Sequence, residues 1–228
     1  MKQTNLEVIS TITEGMQIGL KNVVSLVVAS VLYLLTLWIP YVNVGTTIAM
    51  MTIPGRLAKG EVISPLFIFD DMYRKDFSAF FLLMAFIYLV TLVGFSFMII
   101  PAFVISISLS LATYILVDFE KSPTEAMKLS NQATYGHKWT IFGIQLLFSL
   151  ILIILFAIIG WLGRALGNVM IGILILLLSV CIIPFSMGIN SVIYRTLYLE
   201  AIEDDTVDND YEDLKKEQPG KMEPAPAE

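Results

Sequence analysis

The sequence is short of almost everything that chemistry in solution uses. Of its 228 residues only 15 % are charged, and there is one histidine, His137, and one cysteine, Cys181. A single cysteine excludes an intramolecular disulfide, and inside an apolar run it reads as a small buried hydrophobe. A lone histidine without nearby cysteines excludes the usual zinc clusters and the metal-centred chemistry of phosphodiesterases, so His137 reads as an interfacial residue. Four stretches, 22–55, 77–117, 139–163 and 165–194, hold no Asp, Glu, Lys, Arg or His. That absence excludes Ser-Lys or Asp-Asp catalysis within a membrane and removes the buried charges on which ion-coupled carriers rely. No basic stripe exists to neutralise phosphates: 14 Lys and Arg face 20 Asp and Glu, for a net charge of -6, which excludes nucleic acid as a partner. The acid is local, because the chain from Glu200 onward is rich in Asp and Glu, whereas the part before it is slightly basic. The opening residues also lack the basic start, apolar core and small-residue cleavage site of a secretory signal, so 1–20 are expected in the mature protein.

What is present is hydrocarbon. At 57 % hydrophobic residues and a mean hydropathy of +0.79, the chain reads as an all-α integral membrane protein. A helix rises about 1.5 Å per residue and an apolar core of about 30 Å takes about 20 residues. The stretch 77–117 is long enough for two spans, with GFSFMIIP as the turn, while 139–163 and 165–194 take one each. WIPYVNVG, within 22–55, sets Pro, Asn and Gly close together and favours a turn over one continuous helix. These features predict six spans, at about 22–39, 42–57, 77–98, 101–118, 139–160 and 168–198. With the N-terminus inside, all of the Lys and Arg except Arg164 fall on the cytoplasmic side. A five-span layout, with 22–55 as one tilted helix, would scatter them over both faces. The expected location is the inner (cytoplasmic) membrane of a bacterium, both termini cytoplasmic. Trp38 and Trp161 are expected at the outer interface, and Lys138, Trp139 and Arg195 at the inner one.

Each of the three expected hairpins follows a cytoplasmic amphipathic helix, lying at the interface, and a basic edge. The first is about 4–20, where Leu6, Ile9, Ile12, Met16 and Leu20 recur at helical spacing; the others are about 64–75 and 122–135, both opening on Ser-Pro. In the third, Ser122 and Glu125 form a capping box and Gly136 supplies the stop, predicting an interfacial helix. Asp70, Asp71 and Asp76 stand beside Arg74 and Lys75, which predicts local charge compensation. Residues 1–200 form the membrane domain, and 201–228, charged and poor in large apolar groups, are expected to be a disordered acidic cytoplasmic tail.

The run 99–147 carries Pro101, Asp118, Ser122, Pro123, Ala126, Ser130, Gly136, Lys138, Trp139 and Phe142 in an order that resembles a bacterial group of polytopic membrane proteins of unknown function. That group is related to the membrane domain attached to some glycerophosphodiester phosphodiesterases. The resemblance implies the membrane fold; with no soluble catalytic domain in this chain, it implies no activity.

Uncharged polarity remains within the spans. Ser106, Ser110 and Thr113 would share one helical face, and Gln145, Asn190 and Ser191 sit in later spans. Such groups serve either as helix contacts, the heavier reading, or as the lining of a substrate path. Gly160, Gly163 and Gly167 read as the outer turn. The expectation is a membrane protein without catalytic residues, metal or cofactor, embedded in the lipid bilayer, which organises or escorts other membrane proteins. The alternatives are a carrier or channel for a neutral or lipidic molecule and, weaker, the membrane subunit of an enzyme whose catalytic part is another chain.

Overall fold

A computed structural model describes residues 6–75, 77–162 and 168–203. Its described residues form helices and connecting turns, with no strand. The helices are α1 (Val8–Lys21), α2 (Val23–Thr36), α3 (Val42–Ala58), α4 (Met72–Lys75), α5 (Phe77–Phe97), α6 (Ile99–Ser108), α7 (Ala112–Asp118), α8 (Pro123–Ala133), α9 (Lys138–Leu162) and α10 (Asn168–Tyr194). A 3-10 turn, Pro65–Phe69, precedes α4, and a π-helical turn, Arg195–Leu199, continues α10.

Four helical segments are long and apolar enough to cross a bilayer: Phe77–Phe97, Ile99–Asp118, Lys138–Trp161 and Leu174–Glu203. They form two hairpins. The first turns at Met98 alone, in extended backbone, because Gly94 lets α5 lie almost on Ala102 of α6. Charged residues gather where α5 and α9 begin and where α7 and α10 end, so the bundle has a charged end and an apolar end.

The first third departs from the six-span expectation. Helices α2 and α3 have 14 and 17 residues, short of a full crossing, and α1 meets α2 at 74°; taken as one broken span, that pair would make a fifth. The tip of the α2–α3 hairpin also lies in an unexpected place. The Arg74 guanidinium stacks on the Tyr41 ring at 5.2 Å, and the Arg74 side chain closes over Gly45. Trp38 was expected outside and Arg74 inside, yet Trp38 is three residues from a ring that Arg74 covers. Hydroxyls stitch the hairpin together: Thr36 and Thr46 meet at 3.0 Å, and Thr47 donates to the Tyr33 hydroxyl at 3.4 Å.

Helix α1, expected as an amphipathic interfacial helix, packs along α10 and keeps most of its apolar stripe out of that contact. Leu6 and Ile12 are buried, but Ile9, Met16 and Leu20 are exposed. The contact is made by small residues instead: Thr11, Gly15 and Gly19 are buried, and Gly15 and Gly19 meet the backbone of Ile189 and Pro184, with Gly188 facing Gly15. The pairing runs antiparallel along the second half of α10. A Cβ at Gly15 would stand 2.6 Å from the Ile189 Cα, so only glycine allows this approach. Small residues draw membrane helices together because their backbones touch, while lipid competes equally for larger apolar groups.

The polar insert is likewise docked inside. Ser122 caps α8 by accepting the Glu125 N–H at 3.3 Å, Glu125 pairs with Lys121 at 3.2 Å, and Gly136 takes a positive φ of 86°. Ala126, Ser130, Ala133 and Thr134 are buried against the break between α6 and α7. Ser130 donates to the Ser108 carbonyl at 2.7 Å and accepts the Leu111 N–H at 3.2 Å; Thr134 reaches the same carbonyl at 3.4 Å. A helix can break at membrane depth when another element supplies the missing partners, and here α8 does so. The spacing of Ala126 and Ser130 therefore has a packing reason.

Candidate functional site

The expected polar lining does not converge. The break at residues 109–111 divides Ser106, on α6, from Thr113, on α7, so they share no continuous face. Ser106 is exposed, Thr113 is buried, and Ser110 donates to its own neighbour, the Ile107 carbonyl, at 2.8 Å. Asn190 donates to the Ser186 carbonyl at 2.9 Å, and Ser191 to that of Gly188 at 2.7 Å. Gln145 is exposed and lines an apolar groove of about 600 Å³ between α6 and α9, beside Phe103, Trp139 and Phe142.

Of the expected anchors, Trp139 and Trp161 are exposed at opposite ends of α9, about 33 Å apart by helical rise. Lys138 donates to the Asn131 side chain at 3.0 Å. Trp38 is exposed at the α2–α3 tip. Arg195 pairs with Glu14 at 2.6 Å and Glu200 at 3.4 Å, clamping α1 to the end of α10. Cys181, expected inside, is exposed on α10. Asp71 pairs with Arg74 at 2.9 Å as expected of that cluster. Asp76, Gly163, Arg164, Gly167 and the tail from 204 onward lie outside the described residues.

An open polar space lies elsewhere, at the charged end. A cleft of about 490 Å³ is walled by the C-terminal turn of α3, the segment 61–73 and the end of α7. Helix α3 contributes Thr52, Arg56 and Lys59 on successive turns of one side; α7 contributes Asp118, and Glu120 follows it with a positive φ of 48°. Asp118 is only 9 % exposed and fully engaged: Lys59 pairs with it at 3.0 Å and the Tyr194 hydroxyl donates to it at 3.0 Å. Gly55 makes room for that carboxylate, since a Cβ there would stand 3.1 Å from its Oδ2.

Arg56 is held differently. Its guanidinium lies 5.6 Å from the Phe67 ring and 5.5 Å from the Tyr73 ring, which fixes its position by cation–π attraction. Its polar partners are weak: Met72 Sδ at 3.4 Å and Glu61 at 3.7 Å. Tyr73 is 1 % exposed, and its hydroxyl lies beside Thr52 and Arg56 without reaching either at hydrogen-bond geometry. Burial raises the phenol pKa, against the opposing pull of the Arg56 charge, so the group stays neutral at physiological pH. The arrangement offers fixed hydrogen-bond donors beside carboxylates; among the described residues no three of His, Cys, Asp and Glu are grouped to hold a metal ion.

Asp118 was legible in the sequence as the acidic end of a span. Arg56 and Tyr73 were not singled out, because an arginine in a basic edge and a tyrosine near a boundary carry no signal until the 65–75 segment folds back along α3. Compared with protein-family models, with curated proteins and with solved structures, the chain matches none.

Proposed function

We propose that the protein is a multi-pass membrane protein that performs no chemistry of its own and organises or escorts membrane components, holding them at its charged end. One observation carries the reading. Ser110, Asn190 and Ser191 spend their hydrogen bonds on carbonyls three or four residues before them, whereas an open polar cleft lies beside Arg56 and Tyr73. A carrier needs its polar groups aimed at a shared path.

The collection of Arg56, Lys59, Arg74, Lys121, Lys138 and Arg195 at one end supports a cytoplasmic placement of that end in a bacterial inner membrane. In this reading α5, α6–α7, α9 and α10 cross the bilayer, and α2–α3 enters and leaves from the charged side, consistent with Arg74 on Tyr41. Helix α1 starts at the same end, alongside the close of α10, so both termini are cytoplasmic. The apolar groove bearing Gln145 favours, as a second reading, an escort for a lipid lying against α6 and α9.

Two experiments test this. Purification from membranes with identification of bound proteins and lipids is expected to yield a retained component and no solute flux in proteoliposomes; flux without any retained component would sink the reading. On a Cys181→Ala background, Trp38→Cys and Lys75→Cys are expected to label from the same side, and labelling from opposite sides would restore the full first hairpin.

A further inference from the structure

The polar cleft is arranged for a ligand that carries both charges. Its buried fixed point is the Tyr73 hydroxyl, unpaired in a residue 1 % exposed. A buried hydroxyl without a partner is costly, and native structures tolerate it where something else supplies the bond. The neighbouring Thr52 hydroxyl commits its proton to the carbonyls of Ile48 and Ala49, and neither it nor Arg56 meets the Tyr73 hydroxyl at hydrogen-bond geometry. Beside Tyr73 stands Arg56, with five N–H donors in a planar fork and only a thioether at 3.4 Å and a carboxylate at 3.7 Å. Both contacts are long against the roughly 2.7–2.9 Å of a charge-assisted bond. The rings of Phe67 and Tyr73 fix the guanidinium in place, so its position is set while its donors remain available.

The acidic side is complementary. Lys59 and Asp118 neutralise each other at 3.0 Å. Glu120 makes no ion pair among the described residues, and Glu61 is only loosely paired with Arg56. With two cations and three carboxylates around the cleft, a bare phosphate would add to a negative sum, whereas a phosphate joined to an ammonium leaves it unchanged. The rim is apolar: Met72 and Phe119 line the same cleft and are 39 % and 37 % exposed. A lipid fits such a rim better than a solute that is polar throughout.

We propose that this cleft binds a phosphodiester bearing a primary ammonium group, the headgroup chemistry of phosphatidylethanolamine. Arg56 and the Tyr73 hydroxyl take the phosphate oxygens, displacing Glu61, and Glu120 takes the ammonium. The inference rests on the reading of the charged end as a binding face and names what is bound there.

The test is native mass spectrometry of the full-length protein in detergent, titrated with phosphatidylethanolamine, phosphatidylglycerol and soluble glycerophosphoethanolamine. Phosphatidylethanolamine is expected to be retained about tenfold more strongly than phosphatidylglycerol. Arg56→Gln is expected to lower that retention about tenfold. Because Arg56 also packs against two rings, Tyr73→Phe provides the second variant. It is expected to lower retention several-fold while leaving the ligand-free melting temperature unchanged or higher, whereas a purely structural hydroxyl would lower it. Glu120→Gln is expected to erode the preference for phosphatidylethanolamine and leave phosphatidylglycerol unaffected. Binding of the soluble diester as tight as that of the lipid would make the free headgroup the source; lipid binding alone would make it the bilayer. Equal retention of the two lipids, or retention unmoved by both Arg56→Gln and Tyr73→Phe, overturns the proposal. Solute flux alongside the expected lipid preference would remove the organising role and leave the site, while protein partners without that preference would do the reverse.

Discussion

Helix α3 is far less apolar than helix α9, and it is far more buried. Eleven of the 17 residues of α3 are buried, among them Gly45, Thr46, Ala49, Thr52, Pro54 and Gly55. The span Lys138–Trp161 is nearly continuous Ile, Leu and Phe, and only 11 % of its most apolar window is buried by protein. In water the ranking would be reversed. In a bilayer the lipid takes the apolar faces, and protein contacts fall to small and hydroxyl side chains that allow close approach and hydrogen bonding. Hydropathy in this chain therefore marks what faces lipid, and its interruptions mark the interior.

That contrast can be broken by substitutions on each side of it. The largest effect is expected at the α1–α10 crossing. Gly15→Leu places a side chain against the Ile189 backbone, and should cost about 3 kcal/mol or more, read as loss of monodisperse protein in size-exclusion chromatography. Next comes Asp118→Ala, which strands Lys59 and the Tyr194 hydroxyl and should cost about 2–3 kcal/mol in a detergent unfolding assay. Ser130→Ala removes the hydroxyl that serves both sides of the α6–α7 break. It should cost about 1–2 kcal/mol, since Thr134 still reaches the Ser108 carbonyl. The smallest effect belongs to α9: Ile153→Leu on its exposed face should change stability by less than about 0.5 kcal/mol. A large effect at Ile153 with none at Gly15 would invert the comparison.

The all-helical class, the two long hairpins and the capped helix α8 were legible because each rests on a local signal: uncharged length, a Ser-Pro cap, a glycine stop. The helix expected over about 64–75 is instead a 3-10 turn and the four-residue α4. The edges of α5, α8 and α9 fall within a few residues of the expected ones. The lie of α2–α3 was not legible. Its residues are apolar enough for spans, and its shortness as helices follows from Pro40, a positive φ at Tyr41 and the contact with Arg74, which sequence periodicity does not carry. The docking of α1 on α10 was not legible for the same reason that α3 surprises: periodicity shows the apolar stripe, whereas glycines make the contact. The cleft assembles from three separate stretches, and its most informative group, the Tyr73 hydroxyl, is distinguished only by the lack of a partner in space.

The clamp between Glu14 and Arg195 joins residues 181 apart in sequence, and the glycine crossing beside it does the same. During synthesis α1 enters the membrane region long before α10 exists to receive it. Helix α1, bent by 74° from α2, therefore waits for its α10 partner until the rest of the bundle has been made. The contact that closes the bundle is thus the last to be made, and a chain interrupted before α10 would lack the backbone on which Gly15 and Gly19 pack.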